Sequence, residues 1–317
     1  MRIENQDRIY NPFKVKIGKD FNKQEHLKYI LSILNIIPSK VKKPTRLIKR
    51  NYRVVIMAAG KGTRMDINIP KSLYKLEYPI GRNSFLDNIL SVLGIIRNNI
   101  SGIDIVVRES SIKYFKAYAK ENKTIKLIGL PTSSIKGTAN CLMEYAKHLN
   151  SEKDIILLWG DIACIPIKYI FLSLLIHEKY DSLITLPSRY IENPYVAFVR
   201  DIEGNFTKVY HSNENEHFNG WAEQDSMCFI LNKRIFKLLD RFLISEKKRE
   251  ESKEIDFVHF IPYCASAVRK SVIGLPVCED EYVMGVNTIS KANKINEYFS
   301  AMSEDEYKNI FYNLLFI

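Results

Sequence analysis

The sequence predicts an α/β fold: a mostly parallel mixed sheet with helices on both faces, preceded by a basic N-terminal arm. Three observations carry this expectation. β-rich runs alternate with segments of helical spacing up to residue 187, the pattern changes to hairpin-like runs after residue 195, and positive charge is concentrated in the first 50 residues. Strand–helix alternation is the pattern of right-handed βαβ units, whose parallel strands are covered on both sides.

The β-rich runs fall at 53–58, 103–107, 125–130, 154–159 and 182–187. Between them, 84–97, 111–121, 138–149 and 167–178 show the apolar spacing of helices. Residues 195–201 and 206–211 flank Glu203-Gly204-Asn205 and predict a hairpin, with a further strand at 226–231. Helices are expected over 232–244 and 255–267, a strand over 271–277, and two closing helices near 288–299 and 303–315. The charged run 246–254 predicts a solvated loop or helix end. No internal repeat is present, and no hexapeptide periodicity of a β-helix.

Charge and composition exclude several classes. The chain has 317 residues, enough for a sizeable core, and a formal net charge of +11. Residues 1–50 hold 13 Lys and Arg against 4 Asp and Glu, a net of +9, so the remaining body carries only +2. A nearly neutral body, residues 51–317, is not expected to bind nucleic acid. The apolar stretch from Ile155 to Ile176 contains Asp161, Lys168, Gly160 and Pro166. A charge at mid-span costs about 2.5–3.5 kcal/mol, so a buried strand followed by a core helix is the better reading. No apolar h-region follows Met1, and no secretory signal is expected. Five scattered cysteines without a C-x-x-C pair predict neither a disulfide framework nor a zinc knuckle, and suit a cytoplasmic protein.

Within the arm, Leu27, Ile30, Leu31, Leu34 and Ile37 form an apolar stripe that Pro38 should end. Residues 39–50 then form a basic tether. The helix is expected to dock on the body, with contact to a partner or an anionic surface through residues 1–50 as the alternative. His211 and His217 lack ligand spacing and suggest packing or surface roles.

The strongest signal is VVIMAAGKGTRM at 54–65, followed by Pro70-Lys71. A buried strand runs into Ala58, Ala59, Gly60, Lys61, Gly62 and Thr63, small enough for backbone N–H groups to approach an anion. Arg64 and Lys71 add two cations to the same loop, a combination suited to phosphate. Two commoner glycine loops fail on detail. Met65 stands where a dinucleotide fingerprint needs its third glycine, and no Lys-Ser/Thr pair follows Gly62 as a P-loop requires. Asp161 lies just beyond the apolar run ending at Trp159, hence at the carboxyl end of a strand, where open α/β sheets bind ligands. A hard oxygen donor there suits Mg²⁺, while a helix cap or surface turn is the structural alternative for Asp161 and a helix cap that for Asn287.

The chain resembles the nucleotidyltransferases with a sugar-nucleotide pyrophosphorylase fold, and within them bacterial N-acetylglucosamine-1-phosphate uridylyltransferase domains. Four blocks carry the resemblance in the family's order over about residues 52–300. They are AAGKGTRM with Pro70-Lys71, Lys136-Gly137-Thr138-Ala139, Leu158-Trp159-Gly160-Asp161 and Gly285-Val286-Asn287. The resemblance implies a Rossmann-like nucleotide-diphospho-sugar transferase fold. It implies that Mg²⁺ is the cofactor and that a nucleoside triphosphate reacts with a phosphorylated small-molecule acceptor, most simply a sugar 1-phosphate. Arg64 would hold the leaving pyrophosphate and Lys71 would bridge the α-phosphate and the acceptor phosphate. Asp161 and Asn287 would hold the metal. Ala58, Ala59, Gly60, Gly62, Thr63, Thr132, Gly137, Thr138 and Gly160 would line the nucleotide site. The attacking phosphate oxygen is already anionic, so no general base is assigned.

Several positions depart from the uridylyltransferase pattern. Thr132 stands where a glutamine reads the base, and Tyr210 and Ser226 stand where a glutamate and an asparagine recognise an acetamido sugar. Asn193-Pro194-Tyr195-Val196-Ala197 replaces a glycine-rich turn. Trp159, Tyr195, Tyr210, Trp221 and Asp225 are the candidate acceptor-side residues. Aromatic faces with nearby acids could also hold an amine or quaternary ammonium, as in phosphocholine-type cytidylyltransferases. A non-catalytic scaffold that kept the fold is the remaining alternative. Without a β-helix, no attached acetyltransferase is expected.

Overall fold

A computed structural model describes residues 22–60, 65, 67–77, 83–149, 153–214, 216–249, 254–279 and 285–314. Among the described residues the body has ten strands: β1 (Tyr52–Met57), β2 (Ile100–Arg108), β3 (Ile125–Leu130), β4 (Ile155–Trp159), β5 (Ile184–Glu192), β6 (Val196–Arg200), β7 (Phe206–His211), β8 (Trp221–Asp225), β9 (Cys228–Leu231) and β10 (Val272–Pro276). They form one sheet in the order β3-β2-β1-β4-β9-β5-β8-β6-β7, with β10 paired to β5. β3, β2, β1 and β4 are mutually parallel, β9 is antiparallel to β4, and β10 is parallel to β5. The sheet is mixed, and its parallel half comes first in the sequence.

Nine helices are described: α1 (Lys23–Ile33), α2 (Phe85–Gly94), α3 (Ile112–Glu121), α4 (Thr138–Ala146), α5 (Ile167–Tyr180), α6 (Ile235–Arg249), α7 (Phe257–Ala267), α8 (Ile289–Ser300) and α9 (Glu304–Tyr312). They cover both faces. Val54 and Ile56 of β1 point into the cluster that includes α2, α5 and α8, while Val55 points into the cluster with α4, α6 and α7. Alternate side chains of a strand take opposite faces, which is why Val54–Met57 of β1 is apolar without interruption. The Ile155–Ile176 stretch resolves into β4 and the buried α5, and no described helix is long and apolar enough to cross a membrane.

The expected strand over 226–231 is one part of a longer feature. β8 and β9 are two antiparallel segments on β5, broken at Ser226-Met227, where Met227 adopts φ +61°. The Asp225 carboxylate accepts from the Met227 amide at 2.7 Å and stabilises this turn. Polar Trp-Ala-Glu-Gln-Asp carries no strand alternation strong enough to have marked β8 in the sequence.

The arm differs from its expected form in two ways. α1 begins at Lys23, where the Asn22 side chain accepts from the Gln24 and Glu25 amides. It ends four residues before Ile37 because Asn35 takes a left-handed conformation with φ +55°, a conformation asparagine tolerates. Ile30 and Leu31 are buried in the same cluster as α5 and β10. Residues 39–50 are not a solvated tether. Ile48 is buried, the Lys49 and Arg50 amides donate to Glu178, and the Arg50 guanidinium reaches Asp154 at 2.8 Å and Asp181 at 2.9 Å. These partners flank the amino ends of the strands, opposite the phosphate-loop edge.

Candidate active site

The site grows from the carboxyl ends of β1 and β4, which run side by side in parallel. Beyond β1, the Ala58 amide donates to Val106 of β2, Ala59 is buried and Gly60 is exposed. A Cβ at Gly60 would meet no protein atom within 4 Å, so protein packing does not demand glycine there. Gly160, beyond β4, is different: a Cβ would lie 3.0 Å from the Ala58 Cβ and 3.1 Å from the Met57 oxygen, which already accepts from the Gly160 amide. Gly160 thus lets the two strand ends close together and delivers Asp161 beside the β1 loop.

Lys71 opens a short 3₁₀ turn, Lys71–Leu73, held by Pro70 and followed by hydrogen bonds that lead into α2. Its ammonium donates to Asp161 Oδ2 at 2.5 Å and to Asn287 Oδ1 at 2.7 Å. The Lys71 and Asp161 side chains are 15% and 17% exposed, so the pair is largely shielded and its charge only partly screened by solvent. Asn287 reaches this point because Gly285 bridges Ile162 and the Val286 amide donates to the Asp161 carbonyl. Thr288, not Asn287, caps α8 by accepting from the Lys291 amide, which leaves the Asn287 amide oxygen for the site. The helix-cap alternative for Asn287 is therefore corrected.

One carboxylate and one amide oxygen converge on a single cationic point. Both are hard oxygen donors, and a hard divalent cation commonly takes one or two such protein ligands beside phosphate and water. The donor set fits Mg²⁺. Of the remaining phosphate-loop residues, Lys61, Gly62, Thr63 and Arg64 lie outside the described residues.

Gly137 and Thr138 hold two helix starts together. Gly137 has φ +94°, and a Cβ there would meet the Ile255 backbone at 2.4–2.6 Å. The Thr138 hydroxyl donates to Asp256 at 3.2 Å and accepts from the Phe257 amide at 2.7 Å, so α4 and α7 begin against one another. Because the Thr138 side chain is engaged in this way, the surface left to a ligand here is mainly backbone. Thr132 lies exposed on a 3₁₀ turn after β3.

The candidate acceptor residues do not form one cluster. Trp159 is half-buried, its ring 5.6 Å from Phe229 and 6.2 Å from Phe257, a packing position. Trp221 and Tyr195 are each 39% exposed; Trp221 stacks near Tyr190 at 5.7 Å, and Tyr195 meets His211 edge-on at 5.3 Å. Tyr210 lies beside Phe218, with the Lys208 ammonium 4.0 Å from its ring centre. Asp225 is buried, and burial pushes its carboxyl above the ordinary value. Its hydrogen bond to Met227 makes it a turn-forming residue.

Sequence reasoning missed two contributors. Arg108 ends β2 at the same sheet edge, with Nε buried and without a hydrogen-bond partner. A charged residue closing an apolar strand was the available signal, the same signal that marked Asp161. Met227 lies under Gly285, where a Cβ would come within 2.6 Å of its sulfur; nothing in the sequence joins these two positions.

Residues 53–182 match the family model described as nucleotidyl transferase. Residues 53–182 therefore carry a nucleotidyl transferase domain. Its relatives include the bifunctional protein GlmU of Buchnera aphidicola subsp. Schizaphis graminum, 26% identical over 262 residues, which cover 80% of this chain and 52% of that protein. The GlmU of Acholeplasma laidlawii is 24% identical, over 79% of this chain and 53% of its own length. The chain spans about half the length of the curated relatives it matches. Among solved structures, the inositol-1-phosphate CTP transferase from T. maritima superposes with TM-score 0.57 at 14% identity, covering 81% of this chain and 98% of that one. The CTP:phosphocholine cytidylyltransferase from Streptococcus pneumoniae gives 0.55 at 14% identity, with coverage of 78% and 99%. These structures share the fold.

Proposed function

We propose that this chain transfers a nucleoside monophosphate from a nucleoside triphosphate to a phosphorylated acceptor, a sugar 1-phosphate or a phospho-alcohol, and releases pyrophosphate. The observation that carries the reading is the meeting of Lys71, Asp161 and Asn287 beside the glycine-rich end of β1. The acceptor phosphate attacks the α-phosphorus, and the bond to the pyrophosphate oxygen breaks. No proton needs removal, so the site acts by positioning and charge neutralisation. Lys71 orients the α-phosphate and acceptor phosphate toward each other, and the amides from Gly60 to Thr63 would cradle phosphate oxygens. Arg64 offsets charge on the departing pyrophosphate. Asp161 and Asn287 would hold Mg²⁺, which supplies further neutralisation of phosphate charge.

A cytidylyltransferase acting on a phospho-alcohol is the second reading. Ser226 is buried, with its hydroxyl donating to the Pro187 carbonyl at 2.6 Å, so its one donor is already used and not offered to an acetamido sugar. The exposed rings of Tyr195 and Trp221 suit an acceptor with an apolar or cationic face. A cytoplasmic setting accords with the five buried, free cysteines.

The test is incubation of the purified chain with each of the four triphosphates, MgCl₂ and a panel of sugar 1-phosphates and phospho-alcohols. Pyrophosphate release and product mass identify base and acceptor. Absence of pyrophosphate release across the whole panel, with bound triphosphate, would instead favour the non-catalytic scaffold.

A further inference from the structure

A second group of metal-ligand side chains lies on the antiparallel half of the sheet. His211 ends β7 and is 5% exposed. Glu214 follows on a 3₁₀ turn, Ser212–Glu214, and His259 lies in the first turn of α7. One ligand atom from each of the three falls within 4.8 Å of the other two. Glu214 Oε1 is 2.7 Å from His259 Nε2 and 3.6 Å from His211 Nδ1. Asp256, just before α7, brings Oδ2 to 3.4 Å from the same His211 nitrogen.

A second observation singles out this cluster. His211 Nδ1 is buried and makes no hydrogen bond, although two carboxylates face it. A buried polar nitrogen without a partner is costly, on the order of 1–3 kcal/mol. Its ring is set edge-on against Tyr195, which aims it at the cluster. Four donors around a tetrahedral ion with bonds of 2.0–2.2 Å stand about 3.4 Å apart. The two carboxylate separations from His211, 3.6 and 3.4 Å, match that value, and the 2.7 Å Glu214–His259 contact would open to admit the ion.

We propose that His211, Glu214 and His259, with Asp256 beside His211, form a site for Zn²⁺ that fastens the end of β7 to the start of α7. Two imidazoles with carboxylates are borderline donors suited to zinc, whereas the Asp161–Asn287 pair offers only hard oxygens. The two sites therefore select different ions. Asp256 also accepts from the Thr138 hydroxyl through its other oxygen, at 3.2 Å. Zinc here would tie the β6–β7 hairpin, through Asp256, to the Gly137–Thr138 step. The proposal does not depend on the transfer reaction.

The test uses the full, untagged chain, stripped with a chelator and titrated with ZnCl₂ against a chromophoric competitor. One Zn²⁺ per chain is expected, with the melting temperature raised by about 5 °C at a hundredfold excess over the dissociation constant. His259→Ala and Glu214→Gln should each weaken binding about a hundredfold or more, while His217→Ala, at an exposed neighbour, should leave it unchanged. Substitution with Co²⁺ should give the visible absorption of a tetrahedral nitrogen–oxygen site, a readout that holds even where a variant fails to fold. Excess MgCl₂ should not displace the ion. Failure of the wild-type chain to retain Zn²⁺, full binding in His259→Ala, an equal loss in His217→Ala, or an octahedral Co²⁺ spectrum would each overturn the site.

Discussion

Lys71 and Asn287 lie 216 positions apart in the chain, and the lysine ammonium donates to the asparagine oxygen at 2.7 Å. Asp161 shares that ammonium. Three segments from the beginning, middle and end of the body thus converge at the edge of β1 and β4, where one cationic point is shared by two hard oxygens.

Lys71→Ala is expected to lower turnover by about 10²–10³-fold, the usual cost of removing a charge-stabilising donor. The fold should persist, with an unchanged far-UV spectrum and a melting temperature lower by only a few degrees. Wild-type turnover in this variant would remove Lys71 from the chemistry.

Two glycines with different surroundings should separate binding from stability. Gly137→Ala places a Cβ against the Ile255 backbone at φ +94° and is expected to cost at least about 2–3 kcal/mol, read as a lower urea midpoint. Gly60→Ala meets no protein atom, so its stability should match wild type while KM for the triphosphate rises. A destabilised Gly60→Ala chain would mean that packing, rather than ligand approach, selects glycine there.

Gly285→Ala drives a Cβ into Met227 and should displace Asn287, raising the Mg²⁺ concentration needed for half-maximal activity. Met227→Ala in the same chain should recover most of the loss, because neighbouring substitutions couple. Equal defects in the single and double variants would show that Met227 does not position this segment.

His26 should make stability depend on pH. Burial pushes its imidazole down to about 4; the Glu223 carboxylate opposes this and Arg200 adds to it. The unfolded chain, with an ordinary value near 6.5, takes up the proton first as pH falls. Stability from this group is therefore complete above about pH 6.5 and drains away toward pH 4, by about 3 kcal/mol in all. Urea midpoints measured between pH 7.5 and 4.5 should fall less steeply in His26→Leu than in wild type. Parallel slopes would assign the acid sensitivity to other groups.

Much of this arrangement was legible in residue order. The uninterrupted apolar run Val54–Met57 required burial on both faces, and the small residues after it required a loop at the strand's carboxyl end. Asp161 followed from the same rule applied to β4. β8 escaped because Trp221–Asp225 has no apolar alternation and is held by pairing to β5. The basic segment 39–50 was misjudged because its partners Glu178, Asp154 and Asp181 are more than 100 residues away.

By itself the sequence determined the layered α/β plan, the phosphate-suited loop and the acid beyond β4, since periodicity, glycine and charge act over a few neighbouring residues. Tertiary structure alone decided that Asn287 meets Lys71, that Gly137 must accommodate Ile255, and that His211 and His259 face one carboxylate. Those relations depend on how distant segments are brought to one sheet edge by burying apolar surface, a global constraint that no local spacing encodes.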